Sequence, residues 1–155
     1  MEKVYIESTI PSYLTAKPTS NLIASARQFM TRSWWLEYRL SYQLYTSDVV
    51  IVECQRGDPK AAIKRLEPIS DIHCLKITKD VVVLAELIFQ KLQIPERAKD
   101  DAFHMALACV HQMDYLLSWN FKHIVNASLI KKLRVIASEA GYILPQICTP
   151  EELIP

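Results

Sequence analysis

The chain has 155 residues, half of them hydrophobic, and a formal net charge of +1. This length fits a single domain, residues 1–155, whose core buries roughly 68–70% of the unfolded surface. The near-neutral charge excludes a global attraction to nucleic acids or anionic membranes, so any such contact must come from local patches. With only two glycines, the chain also lacks the glycine-rich loops that cradle nucleotide phosphates.

The four cysteines are far apart and do not have the spacing of a zinc finger: Cys54, Cys74, Cys109 and Cys148. Each lies in or beside an apolar stretch, which predicts buried free thiols and fits a reducing cytosol. The first residues do not resemble a signal peptide, and no segment approaches ~18 consecutive apolar residues. We therefore expect a soluble, cytoplasmic protein without membrane contact.

Strand and helix patterns alternate along the chain. The pattern predicts, in order, strand Val4–Ile6, a helix begun by Pro11, helix Thr19–Leu40, strand Gln43–Thr46, helix Val49–Cys54 capped by Ser47, helix Lys60–Leu66, strand His73–Ile77, helix Val81–Leu92, helix Ala102–Gln112, strand Tyr115–Leu117, helix Ser128–Ala140 and strand Gln146–Cys148. This alternation predicts an α/β fold with a parallel sheet and helices on both of its faces.

Two of the predicted helices have distinctive patterns. Ala102–Gln112 is apolar nearly all round, which predicts a buried helix. Thr19–Leu40 has an apolar stripe formed by Leu22, Ile23, Ala26, Phe29, Met30, Leu36 and Leu40. Trp34 and Trp35 are adjacent in the same helix, and neighbouring positions point about 100° apart. We therefore expect one tryptophan in the core and the other exposed or at an interface.

Polar side chains stand at the ends of several predicted elements. Glu7 follows the first strand, Glu53 lies near the end of a short helix, and Asp100 and Asp101 open the buried helix. Asn120 follows the fourth strand, in the same topological position as Glu7. Because the carboxyl ends of parallel strands meet at one edge of a sheet, these side chains are expected to converge.

Taken singly, these residues have ordinary explanations. Glu53 is typical of a solvated helix position, Asn120 of a turn, and one of the two aspartates of a helix cap. Taken together, several carboxylates and an amide oxygen form the donor set that hard divalent cations prefer. The sequence therefore indicates a metal site of the kind that assists phosphodiester cleavage.

The chain resembles the PIN-domain nucleases, in particular their VapC-like toxin branch. The residues that carry the resemblance are Val4–Thr9, Ser47–Glu53, Asp101–Ala108 and Asp114–Ile124. The resemblance implies a three-layer α/β/α fold with a central parallel sheet, and metal-dependent cleavage of single-stranded RNA. It also implies that Glu7, Glu53 and Asp101 bind Mg²⁺ or Mn²⁺, and that the partners are a second copy in a homodimer and an inhibitory antitoxin.

Two positions depart from the usual pattern of that family. The first acid is usually Asp and is here Glu7, which is one methylene longer; the fourth acid is here replaced by Asn120. A neutral amide weakens any second-ion site and leaves a one-metal mechanism open. We hypothesise that Asn120 takes part in catalysis by holding a water on the ion or a substrate phosphate.

Further residues near the proposed ligands are candidates for substrate binding. Arg56 and Lys122 lie close in sequence to two of the acids, where they would guide phosphate into the site. His104 and His123 are candidates for contacts with substrate, although a single His is more often structural. Ser8 is expected mainly to cap the next helix, with orientation of Glu7 as its secondary role.

The sequence is compatible with three functions. The leading one is a metal-dependent endoribonuclease, acting as the toxin of a toxin–antitoxin pair. The alternative is a catalytically degenerate PIN-like module that binds RNA or protein, favoured by the departures at Glu7 and Asn120. A phosphoacceptor domain ranks third, because no Lys stands at the end of the Tyr115–Leu117 strand where that chemistry requires one.

Overall fold

The structure is a computed structural model that describes residues 1–155. Five strands are formed: β1 (Lys3–Ile6), β2 (Gln43–Ser47), β3 (His73–Leu75), β4 (Tyr115–Leu117) and β5 (Gln146–Cys148). Seven α-helices are formed: α1 (Thr9–Thr15), α2 (Leu22–Ser33), α3 (Asp48–Cys54), α4 (Pro59–Leu66), α5 (Lys79–Lys91), α6 (Lys99–Val110) and α7 (Ala127–Glu139). No helix is both long enough and apolar enough to cross a membrane.

The five strands form one sheet in the order β3-β2-β1-β4-β5, and every pair is parallel. The central strand β1 pairs with β2 on one side and β4 on the other, so that Val4 lies between Leu44 and Tyr115. The chain builds outward from β1 to β3 and then returns to the other side of β1. The boundary between β1 and β4 is therefore the switch point of the sheet, where ligands bind in open α/β folds.

Side chains alternate across the sheet and divide the core into two layers. Tyr5 faces the larger core, which is formed with α3, α5, α6 and α7, whereas Val4 and Ile6 face the smaller core. The smaller core also contains Ile10 of α1 and Trp119, which follows β4. Both faces of the sheet are thus covered, and the predicted three-layer α/β/α fold with a parallel sheet is confirmed.

The prediction for the second helix was wrong in its extent and in the placement of its two tryptophans. The α-helix ends at Ser33 and continues as a π-helical turn, Trp34–Tyr38, and a 3₁₀ turn, Arg39–Ser41. The predicted apolar stripe is largely exposed, and the buried residues of α2 are Gln28 and Thr31. Both Trp34 and Trp35 are buried, because the wider π-helical turn brings both rings into the smaller core.

The remaining boundaries differ from the predictions by a few residues. β3 ends at Leu75, and α5 begins at Lys79 with Thr78 as its side-chain cap. Ser47 caps α3 as predicted, by accepting a hydrogen bond from Val50 N–H at 3.4 Å. The largest consequence concerns α6, which begins at Lys99 and so includes both aspartates in its first turn.

All four cysteines are free thiols; Cys54, Cys109 and Cys148 are buried, and Cys74 is half-buried. Burial raises the pKa of Cys54 to about 11 and that of Cys109 to about 12. In Cys74, burial and the nearby Asp48 carboxylate raise the pKa to about 11. The reactive thiolate form is therefore scarce at every cysteine at neutral pH.

We expect the native protein to react with a thiol-specific reagent at pH 8 on the order of a hundredfold more slowly than the unfolded chain. The half-buried Cys74 should react first. The measurement compares the rate of thiol labelling in buffer and in guanidinium chloride, followed by mass spectrometry of the labelled site. Rapid labelling of Cys109 or Cys148 in buffer would contradict the packed environment described above.

Candidate metal centre

The predicted polar residues meet at the carboxyl edge of the sheet, beside the switch point. Glu7 directly follows β1, and Asn120 lies in the loop after β4. Glu53 lies in the last turn of α3, while Asp101 and His104 belong to the first half of α6. Glu7, Asp101 and His104 are buried, and Glu53 is half-buried. Three chain segments thus place ionisable groups at this edge, and the loop after β4 adds the Asn120 amide.

Glu7 is held by a cradle of hydrogen-bond donors and is only 1% exposed. Ser8 Oγ donates to Glu7 Oε1 at 2.9 Å. The other carboxylate oxygen, Oε2, accepts bonds from Thr9 N at 3.0 Å, Thr9 Oγ1 at 2.5 Å and Ser118 Oγ at 2.8 Å. Oε2 is therefore fully engaged within the protein, and Oε1 is the oxygen with capacity for another partner.

The main role predicted for Ser8, capping the next helix, was wrong. Its side chain makes no capping hydrogen bond to α1 and instead binds Glu7, which was the secondary role. Thr9 Oγ1 also accepts a hydrogen bond from Trp119 N at 2.8 Å, so it links the Glu7 cradle to the loop after β4. The two hydroxyls after β1 fix the orientation of the carboxylate rather than the start of a helix.

Glu53 is paired with His104. The Glu53 side chain is 19% exposed, that of His104 is 0% exposed, and Glu53 Oε1 is hydrogen-bonded to His104 Nε2. Burial alone would raise the pKa of Glu53. The hydrogen bond and charge of His104, together with Ser8 and Arg56, outweigh burial, so the net effect is a lowered pKa. Burial alone would lower the pKa of His104. Its hydrogen bond to Glu53 and the surrounding carboxylates outweigh burial, so the net effect is a raised pKa.

Asp101 is 7% exposed and is the acid most perturbed by this environment. Burial is the largest cause, and together with the charges of Glu7 and Glu53 it raises the Asp101 pKa to about 6. The nearby His104 and a hydrogen bond from Asn120 act in the opposite direction. A buried carboxylate next to two others is costly without a cation, because like charges and desolvation both oppose its ionisation.

The side chains present fit a divalent cation. Ligand atoms of Glu7, Glu53 and His104 lie within 4.8 Å of one another. Asp101 adds a buried carboxylate whose pKa responds to all three of these residues. A donor set dominated by carboxylate oxygens suits Mg²⁺ or Mn²⁺ more than a thiophilic metal. The raised pKa of Asp101 indicates that the protein alone does not compensate the negative charge at this position.

Asn120 holds the turn after β4, and its side chain also lies near Asp101. Its Oδ1 accepts a hydrogen bond from His123 N at 3.0 Å, and its backbone oxygen accepts bonds from Ile124 N and Val125 N. These contacts hold the turn after β4, as its ordinary explanation predicts. At the same time its side chain lies close enough to Asp101 to lower the pKa of that carboxyl by hydrogen bonding.

Of the two cations predicted to bind substrate, Arg56 lies near Glu53 and helps to lower its pKa, and Lys122 lies near His123. Arg56 forms an ion pair with Asp100 at 3.2 Å, and the two side chains are 63% and 38% exposed. Lys122 is exposed and makes no ion pair. Burial, Lys122 and Arg97 lower the pKa of His123, which places Arg97 near the same loop.

Three residues that support the acids were missed by sequence analysis: Tyr5, Ser47 as a partner of Tyr5, and Ser118. Ser118 directly follows β4, as Glu7 directly follows β1, so its position at a strand end was an available signal. Tyr5 lies in the middle of a buried strand, where a phenol reads as an ordinary core residue. Its hydroxyl in fact lies 2.7 Å from Ser47 Oγ and 2.7 Å from His104 Nδ1.

No protein-family profile and no curated protein matches the sequence. The fold is similar to that of a chain in the crystal structure of VapBC2 from Rickettsia felis bound to a DNA fragment from their promoter. The superposition has a TM-score of 0.57 and 11% sequence identity, and it covers 95% of this chain and 98% of that chain. This similarity extends over nearly the whole chain, and at such low identity it establishes a shared fold.

Proposed function

We propose that this protein is a PIN-type, metal-dependent endoribonuclease that cleaves phosphodiester bonds in single-stranded RNA. The observation that carries the proposal is the gathering of three carboxylates at the switch point of the sheet, where Glu7 and Asp101 are buried and Glu53 is half-buried. Such a group of acids is costly unless it binds a cation. The fold shared with a chain of a VapBC2 complex gives independent support.

Glu7, Glu53 and Asp101 would hold Mg²⁺ or Mn²⁺. A divalent ion bound there supplies Lewis-acid activation of water and charge stabilisation during phosphodiester cleavage. Glu7 would contribute Oε1, because Oε2 already accepts three hydrogen bonds. Glu53 would contribute the oxygen that His104 does not engage.

The remaining residues around the acids bind and orient the RNA. Asn120 lies beside Asp101 with a side-chain amide that can donate to a phosphate oxygen. Arg56 and Lys122 are exposed cations near Glu53 and His123, suited to the RNA backbone rather than to the cleaved bond. Because the net charge of the chain is +1, these local cations rather than the overall field must attract the RNA.

We also propose protein partners, namely an antitoxin and a second copy of the chain. The neighbour of similar fold comes from a VapBC2 structure bound to promoter DNA. In this chain, the side chains of Leu22, Ile23 and Phe29 on α2 are 66–86% exposed. Several large apolar side chains exposed on one helix are typical of a surface that another protein covers.

A binding module without catalytic activity is the second candidate. It is favoured by the contacts of Asn120, whose side-chain oxygen already accepts a hydrogen bond from His123 N. A structural amide at the position of a fourth acid is expected in a domain that has lost cleavage. Metal affinity distinguishes the two candidates, since a degenerate site binds Mn²⁺ weakly or not at all.

We expect purified wild-type protein to cleave a labelled single-stranded RNA in the presence of Mg²⁺ or Mn²⁺ and to lose this activity in EDTA. Asp101→Asn should reduce the rate by on the order of a hundredfold or more, since it removes charge from the ion site. The measurement is the initial rate of cleavage on a panel of RNAs of different sequence.

The Asp101→Asn protein, purified in parallel, controls for contaminating ribonuclease. Asp71→Asn, which changes an acid outside the site, controls for the loss of one negative charge. Equal cleavage by wild type and Asp101→Asn would attribute the activity to a contaminant. An absence of cleavage with tight Mn²⁺ binding would favour control by a partner, and an absence of both would favour the binding module.

A further inference from the structure

A row of hydrogen-bonded side chains runs beneath the metal centre, from the start of α3 to Glu53. Ser47 Oγ lies 2.7 Å from the Tyr5 hydroxyl, which lies 2.7 Å from His104 Nδ1. The other ring nitrogen, His104 Nε2, is bonded to Glu53 Oε1. Ser47, Tyr5 and His104 are each 0% exposed, so the row is enclosed in protein as far as Glu53, whose side chain is 19% exposed.

The Glu53 carboxylate at the end of the row determines the direction of each hydrogen bond in it. An ionised carboxylate only accepts hydrogen bonds, so His104 Nε2 must carry a proton and donate a hydrogen bond to Glu53. In the neutral imidazole, Nδ1 then accepts a hydrogen bond from the Tyr5 hydroxyl, which in turn accepts from Ser47. Val50 N donates to Ser47 Oγ, which ties the far end of the row to the backbone of α3.

Both ring nitrogens of His104 are thus engaged, although the ring lies near the ion site. As a metal ligand, His104 would have to lose its Nε2 proton and its contact with Glu53. Glu53 is the more exposed partner, with 19% of its side chain accessible against 0% for His104. The arrangement therefore favours Glu53 as the group that contacts a cation and His104 as the group behind it.

We infer that His104 is a positioning residue, which the buried Ser47–Tyr5 pair orients so that it fixes one oxygen of Glu53 and leaves the other for a divalent cation. The consequence for metal binding rests on the proposed function, whereas the row itself does not. Carboxylates that bind metals commonly need such outer partners, and loss of a partner costs about 10–100-fold in metal affinity or activity.

The test measures the Mn²⁺ dissociation constant of four variants. His104→Ala removes the donor and should weaken binding about 10–100-fold. His104→Gln places an amide N–H where Nε2 stands, so it should restore at least half of that loss on a logarithmic scale. Tyr5→Phe keeps the imidazole but removes its orienting partner, and should weaken binding several-fold. Tyr42→Phe, which removes a hydroxyl outside the row, should bind as wild type does.

Each variant is compared with wild type by circular dichroism and thermal unfolding, so that misfolding is recognised. Wild-type Mn²⁺ affinity in folded His104→Ala would overturn the inference. Equal losses in folded His104→Gln and His104→Ala would overturn it as well, because they would make the imidazole itself the ligand. A folded Tyr5→Phe variant with unchanged affinity would remove the orienting role of the phenol.

A second readout separates this inference from the proposed function. In the metal-free wild type, proton NMR should show a downfield, slowly exchanging His104 Nε2–H signal that disappears in His104→Gln. Absence of this signal from the wild type would overturn the buried row, whatever the metal affinity. A wild type that shows the signal but does not bind Mn²⁺ would support the row and overturn the nuclease proposal instead.

Discussion

Metal-free Asp101→Asn protein is expected to be more stable than metal-free wild type above pH 6, even though it should bind Mn²⁺ on the order of a hundredfold more weakly. Burial, with the charges of Glu7 and Glu53, raises the pKa of Asp101 from 3.8 to about 6. Because the pKa of Asp101 is higher in the folded state than in the unfolded chain, the ionised carboxylate destabilises the folded protein. Asparagine has nearly the same shape and carries no charge, so it removes this destabilising effect.

The sign of the pH dependence follows from the same shift. Below pH 3.8 the carboxyl is protonated in both states, and its ionisation costs the folded state nothing. As the pH rises from there through about 6, the unfolded chain releases its proton more easily, and the wild type loses stability. A change of this size corresponds to about 3 kcal/mol if fully realised, or roughly 6–12 °C in melting temperature for a chain of this length.

The measurement is thermal unfolding of both proteins at pH 4.5, 6 and 8 in EDTA, repeated with Mn²⁺. The Glu53–His104 pair titrates in both proteins, so its effect largely cancels in the comparison. Mn²⁺ should raise the melting temperature of the wild type at pH 8 and leave that of Asp101→Asn nearly unchanged. A variant that is less stable than wild type at pH 8 in EDTA would show that Asp101 has favourable partners in the folded protein.

This expectation gives a physical meaning to the site. A protein that only needed a stable fold would replace Asp101 by a neutral residue, since a buried acid among acids opposes folding. Glu53 differs from Asp101 because it has its own partner in His104, and its pKa is lowered rather than raised. The candidate metal centre therefore combines two acids that have hydrogen-bond partners in the protein, Glu7 and Glu53, with Asp101, whose ionisation the fold opposes.

The sequence predicted the sheet well because its signals were local. Each strand is a short apolar run followed by a helix, and alternation of this kind permits few arrangements other than a parallel sheet. Convergence of the polar residues at the carboxyl edge then follows from topology, whereas the choice of Glu7, Glu53 and Asp101 as ligands rested on the family resemblance. The hydrogen-bond donors around these acids could not be predicted from the sequence, because hydrogen bonds between β1, α3 and α6 depend on tertiary packing.

The failures have identifiable causes. Helical periodicity predicts an apolar face on α2 but does not say whether that face meets the core or a partner, and here Ile23 and Phe29 are exposed. Trp34 and Trp35 were separated on the assumption of a regular α-helix, which the π-helical turn violates. Ser8 was assigned to a cap because a hydroxyl before a helix usually caps it, whereas the neighbouring carboxylate is the stronger acceptor here.

Glu7 provides the second prediction with a large effect, because its cradle separates metal binding from stability. Glu7→Gln should keep the fold, since the amide oxygen can replace Oε2 and accept the bonds from Thr9 and Ser118. The amide nitrogen would then occupy the place of Oε1 and face Ser8, whose hydroxyl can accept. We expect Mn²⁺ affinity to fall on the order of a hundredfold, with a change in unfolding free energy within about 1 kcal/mol.

Glu7→Ala and Glu7→Asp complete the series. Alanine leaves the buried donors of Ser8, Thr9 and Ser118 without their acceptor, and should cost about 3 kcal/mol of unfolding free energy. Aspartate is the usual residue at this position in the family that the chain resembles, but its side chain is one methylene too short for the cradle around Glu7. It should therefore weaken Mn²⁺ binding by about tenfold rather than improve it, because the orienting hydrogen bonds are made to the longer side chain. Calorimetric titration with Mn²⁺ and denaturant unfolding of the three variants test this, and tighter binding by Glu7→Asp would mean that the cradle does not set the position of the first ligand.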